Sequence, residues 1–309
     1  MTTSSTAGTP TAGTPAAAAA GTWKLGGDLR VNRLGYGTMR LPQIGPALDT
    51  ASAPRDRAEA VALLHRAVEL GVNHFDTAAF YFSSAHSSND LLRAAFFPYR
   101  DDLTITTKVW PARNPDGSWW YAEPHQLREQ VEDNLRALGR DHLDVVNLRL
   151  PRSRATGSVA EHFGALAELR EAGLVRHLGL SNATAAHLAE ARSIAPVVCV
   201  QNPYGLDATS EETAVLRTCG EQGIAFVPFY AIAGAGRDAG ATGAEEDRVL
   251  AVARAHGASP AQVRLAWTLH QGPHVLAIPG TGDPAHLAAN VAAAALRLTE
   301  QDLARLAPA

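Results

Sequence analysis

Cysteine is scarce in this chain, with only Cys199 and Cys219 among 309 residues. Two thiols allow one bridge at most, so neither a disulfide framework nor a cysteine-built metal site can hold the fold together. Such usage suits a reducing compartment, and a cytoplasmic location is expected. A basic surplus is also missing: 27 Lys and Arg stand against 31 Asp and Glu, for a net charge of -4. A phosphate backbone finds nothing here to neutralise it, so nucleic acid is not expected as a partner. Apolar runs are broken by charge, Gly or Pro well before the roughly 18 residues a transmembrane helix needs, and membrane is not expected either. After Met1, residues 2–22 lack both charge and large apolar groups, being Thr, Ser, Ala, Gly and Pro alone. Nothing in that composition offsets the entropy of ordering, so residues 1–22 are expected to form a disordered tail. The Ala16–Ala20 run has no basic start before it and makes a poor secretory signal.

What remains is an alternation of short apolar runs and longer amphipathic ones, which predicts βα units around a parallel sheet. Eight strands are expected, at Leu34–Met39, Val72–Asp76, Leu103–Lys108, Leu143–Leu148, Val175–Leu180, Val197–Val200, Ile224–Phe229 and Val275–Ile278. Helices are expected at Asp56–Leu70, Pro124–Leu138, Ser158–Ala172, Thr184–Ile194, Ser210–Gln222 and Pro284–Ala294, with another opening at Ser259-Pro260. Gly71, Gly139, Gly173 and Gly223 each fall where a helix must stop before a strand. An eightfold alternation over a chain near the usual size of about 250 residues predicts a closed (β/α)8 TIM barrel, one domain over 23–309. Lys24 to Leu29 reads as an N-terminal β-hairpin with a Gly turn, placed to plug the barrel floor.

Active sites of such barrels gather at the C-terminal ends of the strands. The polar residues there are Asp76, Lys108, Arg149, Ser181 with Asn182, and Gln201. Asp76 is followed five residues later by the phenol of Tyr81, and Lys108 closes an apolar, β-branched run. Singly, each has a plainer use, as a helix cap or a solvated strand end. No pair of His, Cys or acidic side chains has metal-ligand spacing, His86 and His125 included, so no metal is expected.

Taken together, "GVNHFDTAAFY" and "LTITTKV" resemble the segments that carry three catalytic residues of the aldo-keto reductase family: Asp76, Tyr81 and Lys108. The resemblance runs on through "RLGYGTM", "NLRALGRDHLDVVNL", "HLGLSN", "VQN" and "IPGT", over roughly residues 23 to 306. Its wording is most similar to a bacterial branch that includes pyridoxal reductases. The family implies hydride transfer from NADPH, with NADH as the alternative donor, to an aldehyde or ketone such as a pyridoxal-like compound or a biosynthetic intermediate. Tyr81 would be the proton donor. A free phenol ionises only near pH 10, so it needs a neighbouring cation to give up a proton readily at neutral pH. Lys108 would supply that cation, and Asp76 would hold it charged and oriented.

One position departs from the family: strand four usually ends on His, and here it ends on Arg149. A guanidinium there would polarise the carbonyl, clamp an anionic substrate group, or serve as a structural partner of Asp76 or a loop acid. The resemblance assigns the nicotinamide to Ser181, Asn182 and Gln201, with Phe226 as the stacking ring, and places Gly37, Thr38 and Met39 against the cofactor. Gly280, Thr281, His286 and Asn290 match the segment holding the adenosine phosphate, although it lacks the Lys or Arg common there and Ala288-Ala289 replaces polar residues. Phe82, Trp110, Trp119 and Trp120 are expected to wall the substrate pocket, together with Tyr121, and with Tyr204, Tyr230 and Arg237 as further candidates. A monomer or weak homo-oligomer suffices for such a site. Two other function classes stay open: a non-catalytic nucleotide-sensing barrel subunit, and a barrel whose Lys108 forms a Schiff base.

Overall fold

The computed structural model describes residues 16–151, 157–232 and 243–307. Seven parallel strands lie side by side in chain order: β1 (Tyr36–Gly37), β2 (His74–Asp76), β3 (Thr104–Val109), β4 (Leu143–Arg149), β5 (Val175–Ser181), β6 (Val197–Gln201) and β7 (Ala225–Phe226). The expected eighth stave forms only isolated bridges, Leu34 with Ala277 on one side and Val275 with Phe226 on the other. Backbone bonds from Gly35 N to Ala277 O (2.8 Å) and from Leu276 N to Phe226 O (2.9 Å) nonetheless close the barrel. Pro273 and Pro279 bracket this stave and have no N–H to extend a ladder.

Helices cover the outside: α1 (Arg57–Glu69), α2 (Ser88–Phe96), α3 (Leu127–Leu138), α4 (Ala160–Glu171), α5 (Ala185–Ile194), α6 (Ser210–Glu221), α7 (Gly243–His256), α8 (Pro260–His270), α9 (Pro284–Ala292) and α10 (Glu300–Leu306). Their starts follow capping chemistry. Asp56, Thr184 and Ser259 each accept a backbone N–H from the first turn of α1, α5 and α8, and Pro260 stands at the opening position of α8. Helix α2 was not expected from periodicity, yet Ser87 and Asp90 form a capping box in front of it. The strands alternate faces, so Val146 and Leu148 of β4 join the core under the helices while Val145 points into the barrel.

The hairpin of Thr22–Leu25 with Leu29–Asn32 seals the floor, packing Leu25, Leu29 and Val31 against Val145, Ala225 and Leu276 inside the barrel. Its turn residue Asp28 is tied to Arg176 and His177 of β5 at 2.8 and 2.7 Å. The tail expectation needs correction over 16–22. Ala16–Ala20 form a 3-10 turn, Ala17 is fully buried, and Thr22 already belongs to the hairpin. Small methyls fit where bulky side chains would not, and Leu70 O, Arg33 and Arg297 satisfy the segment's backbone groups. Residues 1–15 lie outside the described residues.

Candidate active site

The end of β2 delivers Asp76, and the end of β3 delivers Lys108. Their charges meet at 2.6 Å with both side chains buried. Lys108 Nζ also donates to Thr77 O at 2.9 Å, and Gln201 Nε2 donates to the second oxygen of Asp76 at 2.8 Å. Both carboxylate oxygens are thus engaged, as a buried charge requires. The Lys108 ammonium stands 5.0 Å from the centre of the Tyr81 ring. Tyr81 itself is 5% exposed and packs edge-on against Phe80. Behind the strand ends, Asn134 accepts from Asn89 and Thr107 at 2.9 and 2.8 Å, and Asn89 accepts from Thr77. That network fixes the backbone from which Asp76 and Lys108 project.

Register sets the rest. Lys108 lies opposite Asn147, which lies opposite Gly179, which lies opposite Cys199. Gly179 is required there, because a methyl would strike both the Asn147 amide oxygen and the Cys199 sulfur. Two residues nearer the rim, Arg149, Ser181 and Gln201 form the next row. Burial pushes the Cys199 thiol well above its ordinary range, so it stays protonated and donates to Asn147 Oδ1 at 3.2 Å. His74, at the foot of β2, is pushed down to about 4 by burial and donates or accepts only toward Thr106.

A cavity of about 300 Å³ opens over this row, bordered by Asp76, Tyr81, Lys108, Arg149 and Gln201. Gly37, Met39 and Gly280 border it too, while Thr38 is buried beneath, bonded to Asp76 O. Gly37 and Gly280 meet across the barrel seam. A Cβ on Gly280 would come within 2.5 Å of Gly37 O, so the approach demands glycine. Ser181 Oγ and Gln201 Oε1 are buried without a hydrogen-bond partner among the described residues. Asn182 adopts a left-handed backbone (φ 58°) and donates its amide to Leu150 O.

The expected aromatics are placed differently. Phe226 points outward into the core, edge-on to Tyr204, because Ala225 and Val227 take the inward positions of that strand. Phe229 and Tyr230 border the cavity in its stead. Trp110 is buried and stacked on His162 at 4.0 Å, outside the cavity wall. Phe82 lies under the Arg113 guanidinium, and Trp119 and Trp120 are exposed on a hairpin strand, Trp119–Tyr121, paired with Pro111–Arg113. Apolar walling comes instead from Met39, Leu48 and Ile232. Arg237 lies outside the described residues.

A second cavity of about 850 Å³ adjoins the first, sharing Arg40, Ile232 and Gly280. Thr281, His286 and Asn290 border it as the sequence led one to expect. So do three guanidinium groups that sequence reasoning missed: Arg40, Arg55 and Arg264. Arg55 comes from a small hairpin, Gln43–Ile44 with Ala53–Pro54, and packs over Gly282. Arg264 sits on α8 among buried Val263, Leu265 and Ala266, and a charge inside that apolar run was the available signal. Asp283, which borders the same cavity, is held below the usual carboxylate range chiefly by the His286 backbone N–H it accepts. Among the described residues, no cluster of three or more His, Cys, Asp or Glu could hold a metal, and no helix is long and apolar enough to cross a membrane.

The chain is 45% identical to pyridoxine 4-dehydrogenase of Escherichia coli over 285 residues, covering 91% of this chain and 95% of that protein. Among solved structures, it resembles a thermostable aldo-keto reductase in complex with the inhibitor epalrestat (TM-score 0.77, 28% identity, 92% of this chain and 98% of that one). It also resembles an aldo-keto reductase from Klebsiella pneumoniae in complex with NADPH (TM-score 0.75, 26% identity, 92% and 93%). The family model described as aldo/keto reductase matches residues 33–309, and the chain belongs to that family of oxidoreductases.

Proposed function

We propose that the protein reduces an aldehyde or ketone in the first cavity, using NADPH laid across both cavities. The observation that carries this reading is the locked Asp76–Lys108 pair beneath Tyr81 in a cavity that continues into an arginine-lined one. NADPH, when bound, supplies a hydride to the carbonyl carbon. The residues present fit such a group. Ser181 Oγ and Gln201 Oε1 are orphaned buried atoms able to meet a carboxamide, with Asn182 beside them. Arg40, Ile232 and Gly280 border both cavities, so a ligand reaching from one to the other would pass over them. Arg55 and Arg264, with Thr281, His286 and Asn290, would hold the phosphate end.

Tyr81 gives its hydroxyl proton to the carbonyl oxygen as the hydride arrives, and solvent restores it afterwards. Positive charge at Lys108 stabilises the phenolate left behind, while Asp76 keeps that ammonium aimed. General acid catalysis of this kind contributes roughly 10²- to 10⁴-fold. A cavity of about 300 Å³ suits a single-ring substrate, and the E. coli relative's name supports a pyridoxal-like one. A monomer or weak homo-oligomer in the cytoplasm would be competent for this chemistry. Schiff-base chemistry at Lys108 is not favoured, because its Nζ donates to Asp76 and Thr77 O.

The test is titration with NADPH and NADH by tryptophan fluorescence, followed by turnover on an aldehyde panel that includes pyridoxal. Micromolar NADPH binding and turnover are expected, with Tyr81→Phe lowering kcat about 10²- to 10⁴-fold while still binding NADPH. Absence of binding by either dinucleotide would sink the reading and bring the sensing alternative forward.

A further inference from the structure

Arg149 lines the reaction cavity with Tyr81 and Lys108, but its charge is not spent as theirs is. Asp76 is the carboxylate that borders this cavity among the described residues, and Lys108 and Gln201 already occupy both of its oxygens. No hydrogen bond or ion pair joins the Arg149 side chain to any described residue, although its backbone is laddered to Ser181. Its guanidinium carbon instead stands 5.8 Å from the Phe80 ring centre and 5.6 Å from that of Phe229.

We propose that Arg149 selects substrates bearing an anionic oxygen, carboxylate or phenolate, on the atom next to the carbonyl-bearing carbon. This rests on the reductase reading above and names its substrate class. Strand register carries the argument. Lys108 lies opposite Asn147, and alternation returns Arg149 to the same inner face two residues nearer the rim. At about 3.3 Å per residue, that places its backbone about 7 Å rimward of the Lys108–Asn147 level, on the face that carries Lys108. The guanidinium is then clamped between Phe80 and Phe229, without a hydrogen bond to Tyr81. The guanidinium borders the same cavity as Tyr81 and Lys108, so a substituent next to a carbonyl held there lies in the space it faces. A cavity of about 300 Å³ leaves space for only a short link between the two groups.

Energetics point the same way. A half-buried guanidinium with no counterion among the described residues is costly, and a bound anion with two oxygens matches its planar fork. The apolar walls at Leu48, Phe229 and Ile232 exclude water around that contact and strengthen it. An aromatic aldehyde with an ortho carboxylate satisfies the arrangement, as does pyridoxal, whose phenolic oxygen sits on the ring carbon next to the one bearing the aldehyde.

The experiment compares kcat/KM for 2-carboxybenzaldehyde, pyridoxal and benzaldehyde in wild type, Arg149→Gln and Arg149→Lys. Wild type is expected to favour the two anionic aldehydes at least about tenfold, and Arg149→Gln to erase about 10- to 100-fold of that preference, mainly through KM. Arg149→Lys should restore part of it, keeping the charge but not the fork. A loss confined to 2-carboxybenzaldehyde identifies carboxylate as the partner, and one confined to pyridoxal identifies phenolate. An equal loss on all three aldehydes overturns the proposal and assigns Arg149 to the carbonyl or to the fold. A second measurement needs no turnover: benzoate binding to the resting protein, followed by fluorescence, should weaken about tenfold in Arg149→Gln. Equal binding by both proteins defeats the proposal while the reductase reading stands, whereas failure of both dinucleotides to bind defeats the reductase reading and the proposal with it.

Discussion

The two adjoining cavities are built by different means. The first draws its chemistry from successive strand ends, where each side chain is fixed by register with its neighbour. The second assembles cations from Arg40 after β1, Arg55 beside a small hairpin and Arg264 on helix α8, the first and last more than 200 residues apart in the chain. A barrel rim places catalytic groups by its own geometry, while recognition of the far end of a ligand depends on whatever segments happen to pack beside it.

That contrast can be broken most forcefully at Lys108. Replacement by Met leaves Asp76 buried without its cation, and we expect a loss of about 3–5 kcal/mol in chemical denaturation along with loss of turnover. Stability close to wild type would mean that the first cavity is not an interlocked unit. Acid gives the next largest effect. His74 takes a proton in the unfolded chain near pH 6.5 but resists it down to about 4 when folded. The unfolded state therefore binds the extra proton across that window, so stability present above pH 6.5 declines as pH falls toward 4, by about 3 kcal/mol at most. His74→Gln should flatten this slope in a series of thermal melts, and an unchanged slope would move the cause elsewhere. The second cavity is expected to answer with a smaller, ligand-specific change. Arg264→Gln should weaken NADPH binding about 10- to 100-fold and NADH binding far less. Equal weakening of both would show that Arg264 shapes the fold and does not read the phosphate.

Legibility followed the same divide. Asp76, Lys108, Ser181 and Gln201 could be placed together at the barrel rim because strands are short, apolar and bounded, and their C-terminal ends lie there. Tyr81 followed from its spacing to Asp76 once the resemblance was seen. Phe226 was misplaced because alternation decides which of Phe226 and Phe229 faces the cavity, and periodicity does not fix parity in a strand this short. Trp119 and Trp120 went wrong for want of a partner: pairing with Pro111–Arg113 carries them to the surface. Arg55 gave no local signal at all, since only tertiary folding brings it over Gly282. Ala16–Ala20 were misjudged because composition measures what a segment can bury, not what is waiting to be covered.

The seam of the barrel has a dynamic consequence. Isolated bridges hold the last stave where continuous ladders hold the others, and the cavities meet on that stave at Gly280. Amides of residues 275–281 should thus exchange with solvent sooner than those of β4 or β5 in the ligand-free protein. A dinucleotide spanning Gly37 and Gly280 would act as a strap across the opening. Its binding energy would then appear as slowed exchange along the seam and as a melting temperature that climbs with ligand concentration.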